Sequence, residues 1–273
     1  MTDHPKVTLV TCSSMPHLFP GEEGLLDELA SRGCDPQIKV WSDPDVDWSD
    51  AGMVVVRSVS DYAQDRSAFL EWTRQLRRVQ NSADVLNWNT DKHYLRELAA
   101  LGMPTIPTSW LEPEQNLSKH QIHTRFPAFG EFVVKPAVSS GVRDIGRYTT
   151  VDIHQRQAAM RQVQGLLGDG RSVMIQRYVE EIDLHGEISL VFFNGLVSHA
   201  VEKRSALHPA SVTNPEMHEA VLTADSADSV AWTWGEQIRC VLHDYVRARL
   251  GHDEQFLFNR VDLVPDGKGS FLV

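Results

Sequence analysis

The stretch Glu131–Tyr148, EFVVKPAVSSGVRDIGRY, constrains the fold more than any other part of the chain. Phe132, Val133 and Val134 form a short apolar run that predicts a buried strand. Lys135 follows, and Pro136 ends the ladder because it has no N–H to donate. Ser139, Ser140, Gly141, Arg143 and Gly146 then make a loop of small hydroxyl and glycine residues with arginines beside it. A strand that ends on lysine and feeds such a loop can hold a polyphosphate. Backbone N–H groups wrap the oxygens and the ammonium supplies a point charge. Read alone, the same residues equally describe an exposed hairpin with a surface lysine.

Upstream, Val7 to Val10 and Met53 to Val56 predict buried strands, and Glu22 to Ser31 and Ser67 to Val79 carry helical apolar spacing. Strand–helix–strand–helix predicts a small α/β unit over roughly the first 85 residues. Arg57 and Ser58 close the second of these strands, where open α/β sheets place ligands. A satisfied surface arginine is the other reading.

From Asn87 the chain reads NWNTDKHYLRELAALGMPTIPTSW. Asn89 or Thr90 caps a predicted helix through Leu101, and Gly102 stops it. Lys92 falls in the first turn of that helix, where a cation is disfavoured. It either reaches for a phosphate or is solvated. Asn116 to Phe129 has no clear pattern. Asp152 to Leu167 predicts an amphipathic helix, Ser172–Gln176 a strand, and Arg177 to Glu181 its extended continuation. Asn194-Gly195 between GEISLVFF and LVSHAVEK is a hairpin signal. Ala210 to Asp228 reads as a loop, Val230 to Leu250 as a long helix, and Phe256–Val264 and Ser270–Val273 as strands around a glycine turn.

With a net charge of −11 the chain is a poor bulk match for nucleic acid or anionic lipid, so a bound anion needs a focused cluster of cations. Asp43, Asp45, Asp47 and Asp50 form an acidic patch. Cys12, Cys34 and Cys240 are widely spaced and odd in number, which favours a reducing, cytoplasmic setting over disulfides or a zinc site. No secretory signal is visible, and no apolar run approaches the roughly 18–20 residues of a membrane span. Neither a GxxxxGK[ST] nor a GxGxxG fingerprint occurs. His185, His199 and His208 scatter without metal spacing, and Ser139 and Ser140 lack a nucleophile elbow.

The order of the pieces is more specific than any one of them. Lys92 opens a helix running into Gly102-Met103-Pro104, and Lys135 ends FVVKP before its loop. Gln176-Arg177-Tyr178-Val179 precedes Glu187, Lys203-Arg204 ends the hairpin, and Arg260-Val261-Asp262 lies on a late strand. This series resembles the ATP-grasp superfamily of carboxylate-activating ligases over roughly residues 87–273, and more weakly before them. VVRSVSDY, LNWNTDKHYLRELAALGMPTIPT, FVVKPAVSSGVRD and GEISLVFFNGLVSHAVEKR are similar to an actinobacterial-type group that includes a cycloserine-forming cyclo-ligase acting on O-ureido-serine.

The resemblance implies an α/β ATP-grasp fold in three parts. These are a Rossmann-like pre-ATP-grasp domain (1–88), a central lid (89–178) and a C-terminal antiparallel-sheet subdomain (179–273). It implies ATP and magnesium as cofactors, a small amino-acid-derived substrate, no nucleic acid or membrane partner, and a homodimer. Lys92 and Lys135 would hold ATP phosphates under a loop containing Ser139, Ser140 and Gly141. Gln176, Arg177, Tyr178 and Val179 would receive adenine, and Glu187 the ribose hydroxyls. Lys203 would meet the outer phosphates, Arg260 the transferred phosphoryl group or developing oxyanion, and Asp262 magnesium. Arg57, Ser58 and Arg204 are the candidates for the substrate's carboxylate or head group, with Lys203, Arg204 and Arg260 as the catalytic set. The reaction implied is carboxylate activation as an acyl phosphate and attack by a nitrogen of the same molecule. Joining two molecules, or binding nucleotide without catalysis, are the alternatives. The family's second metal carboxylate would fall past Val273, so the expectation is a C-terminal part that is incomplete.

Overall fold

The computed structural model describes residues 4–19, 21–204, 207, 219–222 and 229–273. The chain divides into two units, one of residues 1–90 with 254–257 and one of residues 91–253 with 258–273.

In the first unit, β1 (Lys6–Thr11), β2 (Asp35–Val40), β3 (Met53–Ser58) and β4 (Val79–Gln80) form a parallel sheet in the order β2-β1-β3-β4. Helices α1 (Gly24–Ser31) and α2 (Arg66–Gln75) supply two of the crossovers, and α3 (Ala83–Asn89) follows β4. Val10 and Val54 pack with Trp41, Phe69 and Trp72 in one core cluster. The Trp41 and Phe69 rings meet edge-on at 5.5 Å, a favoured aromatic geometry. The sequence predicts one helix through Val79, but α2 stops at Gln75 and Leu76 turns extended. Val79 instead pairs with Val54, because a parallel ladder satisfies its backbone while its side chain packs, half-buried, against the first core cluster. The edge strand β2 is missed by the sequence because DPQIKV shows no alternation of apolar residues.

In the second unit, α4 (Tyr94–Ala100) leads to a sheet of β5 (Thr108–Leu111), β6 (Glu131–Pro136), β7 (Gly146–Thr149) and β8 (Val173–Arg177), ordered β5-β8-β6-β7 and antiparallel throughout. Between β5 and β6 lies α5 (Lys119–His123), and α6 (Ile153–Gly168) packs its Ala159, Val163 and Leu166 onto Phe132, Val134 and Ile175. The short helix α7 (Glu181–His185) leads into a second sheet. That sheet comprises β9 (Glu187–Phe193), β10 (Leu196–Lys203), β11 (Glu219–Leu222), β12 (Phe258–Pro265) and β13 (Phe271–Leu272), in the order β11-β10-β9-β12-β13. Helix α8 (Ser229–Leu250) covers one face, with Ala231 and Ile238 against Leu190, Phe192 and Leu263. The β9–β10 turn has φ of +53° at Asn194 and +77° at Gly195, the two positive values that a type I′ hairpin needs.

Several expectations are corrected here. The helix expected to start from a cap at Asn89 or Thr90 begins only at Tyr94, and Thr90 instead closes the preceding α3, its hydroxyl donating back to Leu86 O at 2.6 Å. Lys92 therefore lies in the turn before α4, not in its first helical turn. Glu181 begins α7 and is not extended. The patternless stretch contains α5, whose Ser118 and Gln121 form a capping box, a spacing that was readable in the sequence. Of the expected loop 210–228, residues 219–222 form β11 and the rest lies outside the described residues. His208 lies outside them too.

Candidate active site

Alternation along the strands builds the site in the second unit. On β6, Phe132 and Val134 enter the core, so Val133 and Lys135 face the other way, into a cleft of about 310 Å³. On β9, Ile188, Leu190 and Phe192 pack toward α8, which leaves Glu187 and Ser189 on the opposite face. Register then sets Lys203 of β10 directly across from Glu187, and Asp262 of β12 directly across from Ser189. Gly186 makes the entry to β9 possible. Its φ is +73°, and an added Cβ would lie 2.5 Å from the Lys203 carbonyl oxygen.

The cleft is lined by Ile106, Val133, Tyr178, Val179 and Leu207 together with the charged Lys135, Glu187, Lys203 and Arg204. Gln176 and Arg177 border it as well. Gln176 is buried and its amide donates to Thr108 Oγ1 at 2.7 Å, whereas the Arg177 guanidinium lies over the Phe129 ring. Beyond Glu187 on the same sheet face, Arg260 grips Asp262 through Nε and Nη2, each at 2.8 Å, and Ser189 donates to Asp262 Oδ1 at 2.6 Å. Lys92 joins through the loop after β6. Its backbone N–H donates to Ala137 O, and its ammonium donates to Ser139 Oγ at 2.7 Å.

Electrostatics separate these groups. Burial pulls the Lys135 ammonium down to about 8, although Glu187 favours its charged form. Burial and then repulsion from Lys135 bring Lys92 to about 8 as well. Burial, followed by the nearby Asp262 carboxylate, pushes Glu187 up. Burial also works against ionised Asp262, but Arg260, the Ser189 hydroxyl and Lys203 outweigh it and hold the carboxyl below its usual range.

Of the residues singled out in the sequence, Lys135, Gln176, Arg177, Tyr178, Val179, Glu187, Lys203 and Arg204 border one cleft. Lys92 and Ser139 meet beside it, while Ser140 and the exposed Gly141 continue the loop. Arg57 and Ser58 belong to the first unit. Arg57 is ion-paired with Glu22, and Ser58 is buried. His185 pairs with Glu181, and His199 contacts Ser198. Sequence reasoning missed Ser189 and Val264, although both follow from counting by two from Glu187 and Asp262.

Two antiparallel sheets, each backed by its own helix, line one cleft with apolar side chains, lysines and a carboxylate. That is the architecture of an ATP-dependent, ATP-grasp ligase. The fold is shared with D-alanine–D-alanine ligase from Bacillus anthracis, at a TM-score of 0.63 and 12% identity over 98% of this chain and 85% of that one. Residues 7–87 match the family described as D-cycloserine synthetase DcsG, N-terminal domain. The cycloserine biosynthesis protein DcsG of Streptomyces lavendulae is 33% identical over 255 residues, 91% of this chain and 82% of that protein. A crystal structure of D-cycloserine synthetase DcsG superposes with a TM-score of 0.79 at 31% identity, covering 98% of this chain and 89% of that one. The chain belongs to the DcsG family. Among the described residues, no helix is long and apolar enough to cross a membrane.

Proposed function

We propose that this protein closes O-ureido-D-serine to D-cycloserine at the expense of ATP. The observation that carries the reading is the single cleft bordered by Lys135, Gln176–Val179, Glu187, Lys203 and Arg204. Its apolar lining suits a purine, with Gln176, Arg177, Tyr178 and Val179 along the base edge. Glu187 accepts the ribose hydroxyls, and Lys92, Lys135 and Lys203 hold the phosphates. Ser139, Ser140 and Gly141 cover them. Arg204, on the border of the cleft, is a candidate for the substrate's carboxylate or head group.

The donor set fits magnesium. Asp262 is a carboxylate held, against burial, below its usual range by Arg260, Ser189 and Lys203, and a hard dication takes such oxygens. Asp262 would hold the ion, which supplies charge neutralisation at the phosphate oxygens. The substrate carboxylate takes the terminal phosphoryl group of ATP and becomes an acyl phosphate, whose carbonyl carbon is electrophilic. Arg260 stabilises the charge that develops there. A nitrogen of the same molecule displaces phosphate and closes the isoxazolidinone ring. Water removes the carbamoyl group from that nitrogen as carbon dioxide and ammonia. Excluding water until the ring has closed protects the acyl phosphate from hydrolysis, the task of the loop after β6.

Phosphate release from ATP and magnesium, measured over a panel of amino-acid derivatives, tests this. Release with O-ureido-D-serine alone is expected. Release only with pairs of substrates would replace cyclisation by joining two molecules. ATP binding without stimulated release by any compound would make the protein a nucleotide-binding module.

A further inference from the structure

We propose that Arg147 is a positioning residue that clamps the base-end wall of the nucleotide cleft, an inference that rests on the ATP-binding reading above. Arg147 lies on β7, directly across from the cleft-lining Val133. Its side chain is 14% exposed, and its guanidinium stands 3.6 Å above the centre of the Tyr178 ring. The same guanidinium holds two carboxylates. One is Glu131, and the other is Asp183 of α7, met by Nη1 at 3.1 Å and Nη2 at 2.8 Å. Nη1 also donates to the carbonyl of Leu207, a cleft residue, at 3.3 Å.

Both carboxylate residues return to the same linker. The Tyr178 hydroxyl donates to Asp183, and the Tyr178 backbone N–H donates to the Glu131 carbonyl at 2.9 Å. Tyr178 is thus fixed by its ring, its hydroxyl and its backbone, through groups that all touch Arg147. A planar guanidinium stacked on an aromatic ring and forked onto carboxylates is a geometry that lysine cannot reproduce. Tyr178 and Val179 form the wall against which the base would lie, and their placement depends on this one side chain. Arg147 touches none of the phosphate-end residues Lys135, Lys203 or Lys92 in any hydrogen bond or ion pair found among the described residues.

The test separates the two ends of the nucleotide. Calorimetric titration of the full chain with AMP-PNP and with inorganic tripolyphosphate is compared for wild type, Arg147→Lys and Tyr178→Phe. Arg147→Lys is expected to weaken AMP-PNP binding about tenfold while leaving tripolyphosphate within about twofold. In turnover, the effect falls on KM for ATP and not on kcat. Tyr178→Phe keeps the stacked ring and loses only the bond to Asp183, so a smaller loss of the same kind is expected, and it stands in if Arg147→Lys does not fold. Equal AMP-PNP affinity in wild type and the variants, or parallel losses of AMP-PNP and tripolyphosphate, would overturn the clamp alone. A wild type that does not bind AMP-PNP would overturn the ligase reading, and the clamp with it.

Discussion

The two sheets of the larger unit present charge in opposite ways. The β5–β8 sheet and its loop bring Lys135 and Lys92 together, and each is held at about 8 chiefly by burial, Lys92 also by its neighbour's charge. The β9–β13 sheet interleaves its cations with carboxylates, with Lys203 across from Glu187 and Arg260 on Asp262. The first sheet is a charge deficit awaiting an anion. The second is a balanced network, already hydrogen-bonded, in which one carboxylate is pushed up and the other held down. Buried like charges persist only where something offsets their desolvation, and in the proposed function that offset is the ATP polyphosphate.

Breaking the balanced side should have the largest effect. Asp262→Asn removes the carboxylate that Arg260 and Ser189 orient, and turnover is expected to fall at least about 100-fold. Initial rates across magnesium concentrations would check this, and turnover near wild type would sink the assigned role. Breaking the deficit side should act on binding instead. Lys135→Ala is expected to raise the dissociation constant for ATP about 10- to 100-fold, against almost none for the exposed Lys119→Ala. Equal losses in the two variants would remove Lys135 from the phosphate site.

A pH series sharpens the same contrast. Both lysines lose their proton near pH 8 in the folded chain and near 10.5 when unfolded. Phosphate binding needs the ammonium forms, so kcat/KM for ATP should decline above about pH 8. The unfolded chain binds more protons than the native one between those values, so the lysines' contribution to stability rises with pH over that interval. Affinity and stability should therefore move in opposite directions. Lys135→Met should flatten both trends in parallel rate and urea-unfolding measurements. The smallest effect belongs to the covered face of the second sheet. A Cβ at Gly235 of α8 would lie 2.2 Å from Leu190 Cδ1, so Gly235→Ala should cost about 1–2 kcal/mol of stability, read by urea unfolding.

Where local pattern decides, the sequence was readable. The Asn194-Gly195 turn, the helix α6 after Asp152 and the strand through Lys135 each follow from residues close by in the chain. Lys135, Glu187, Lys203 and Asp262 were legible for the same reason, since each sits at the end or on one face of a readable strand, whereas Lys92 lies in a turn. What was not legible depends on partners distant in sequence. Arg147 meets carboxylates 16 and 36 residues away, so nothing in its own neighbourhood distinguishes it from a solvated arginine. The later start of α4 was not legible because Thr90 is as good a cap as any by its own chemistry, whereas the chain after it is tied by the Lys92 N–H to Ala137.

Each sheet of the larger unit also owns a core, with Phe132 and Val163 in one and Leu190 and Ile238 in the other. Two plates with private interiors can change their separation without either being unpacked. Amide hydrogen exchange should then report the same slow rates in β6, β8, β9 and β12 with and without nucleotide. The protection gained on binding should be concentrated in residues 178–186 and in the loop after β6.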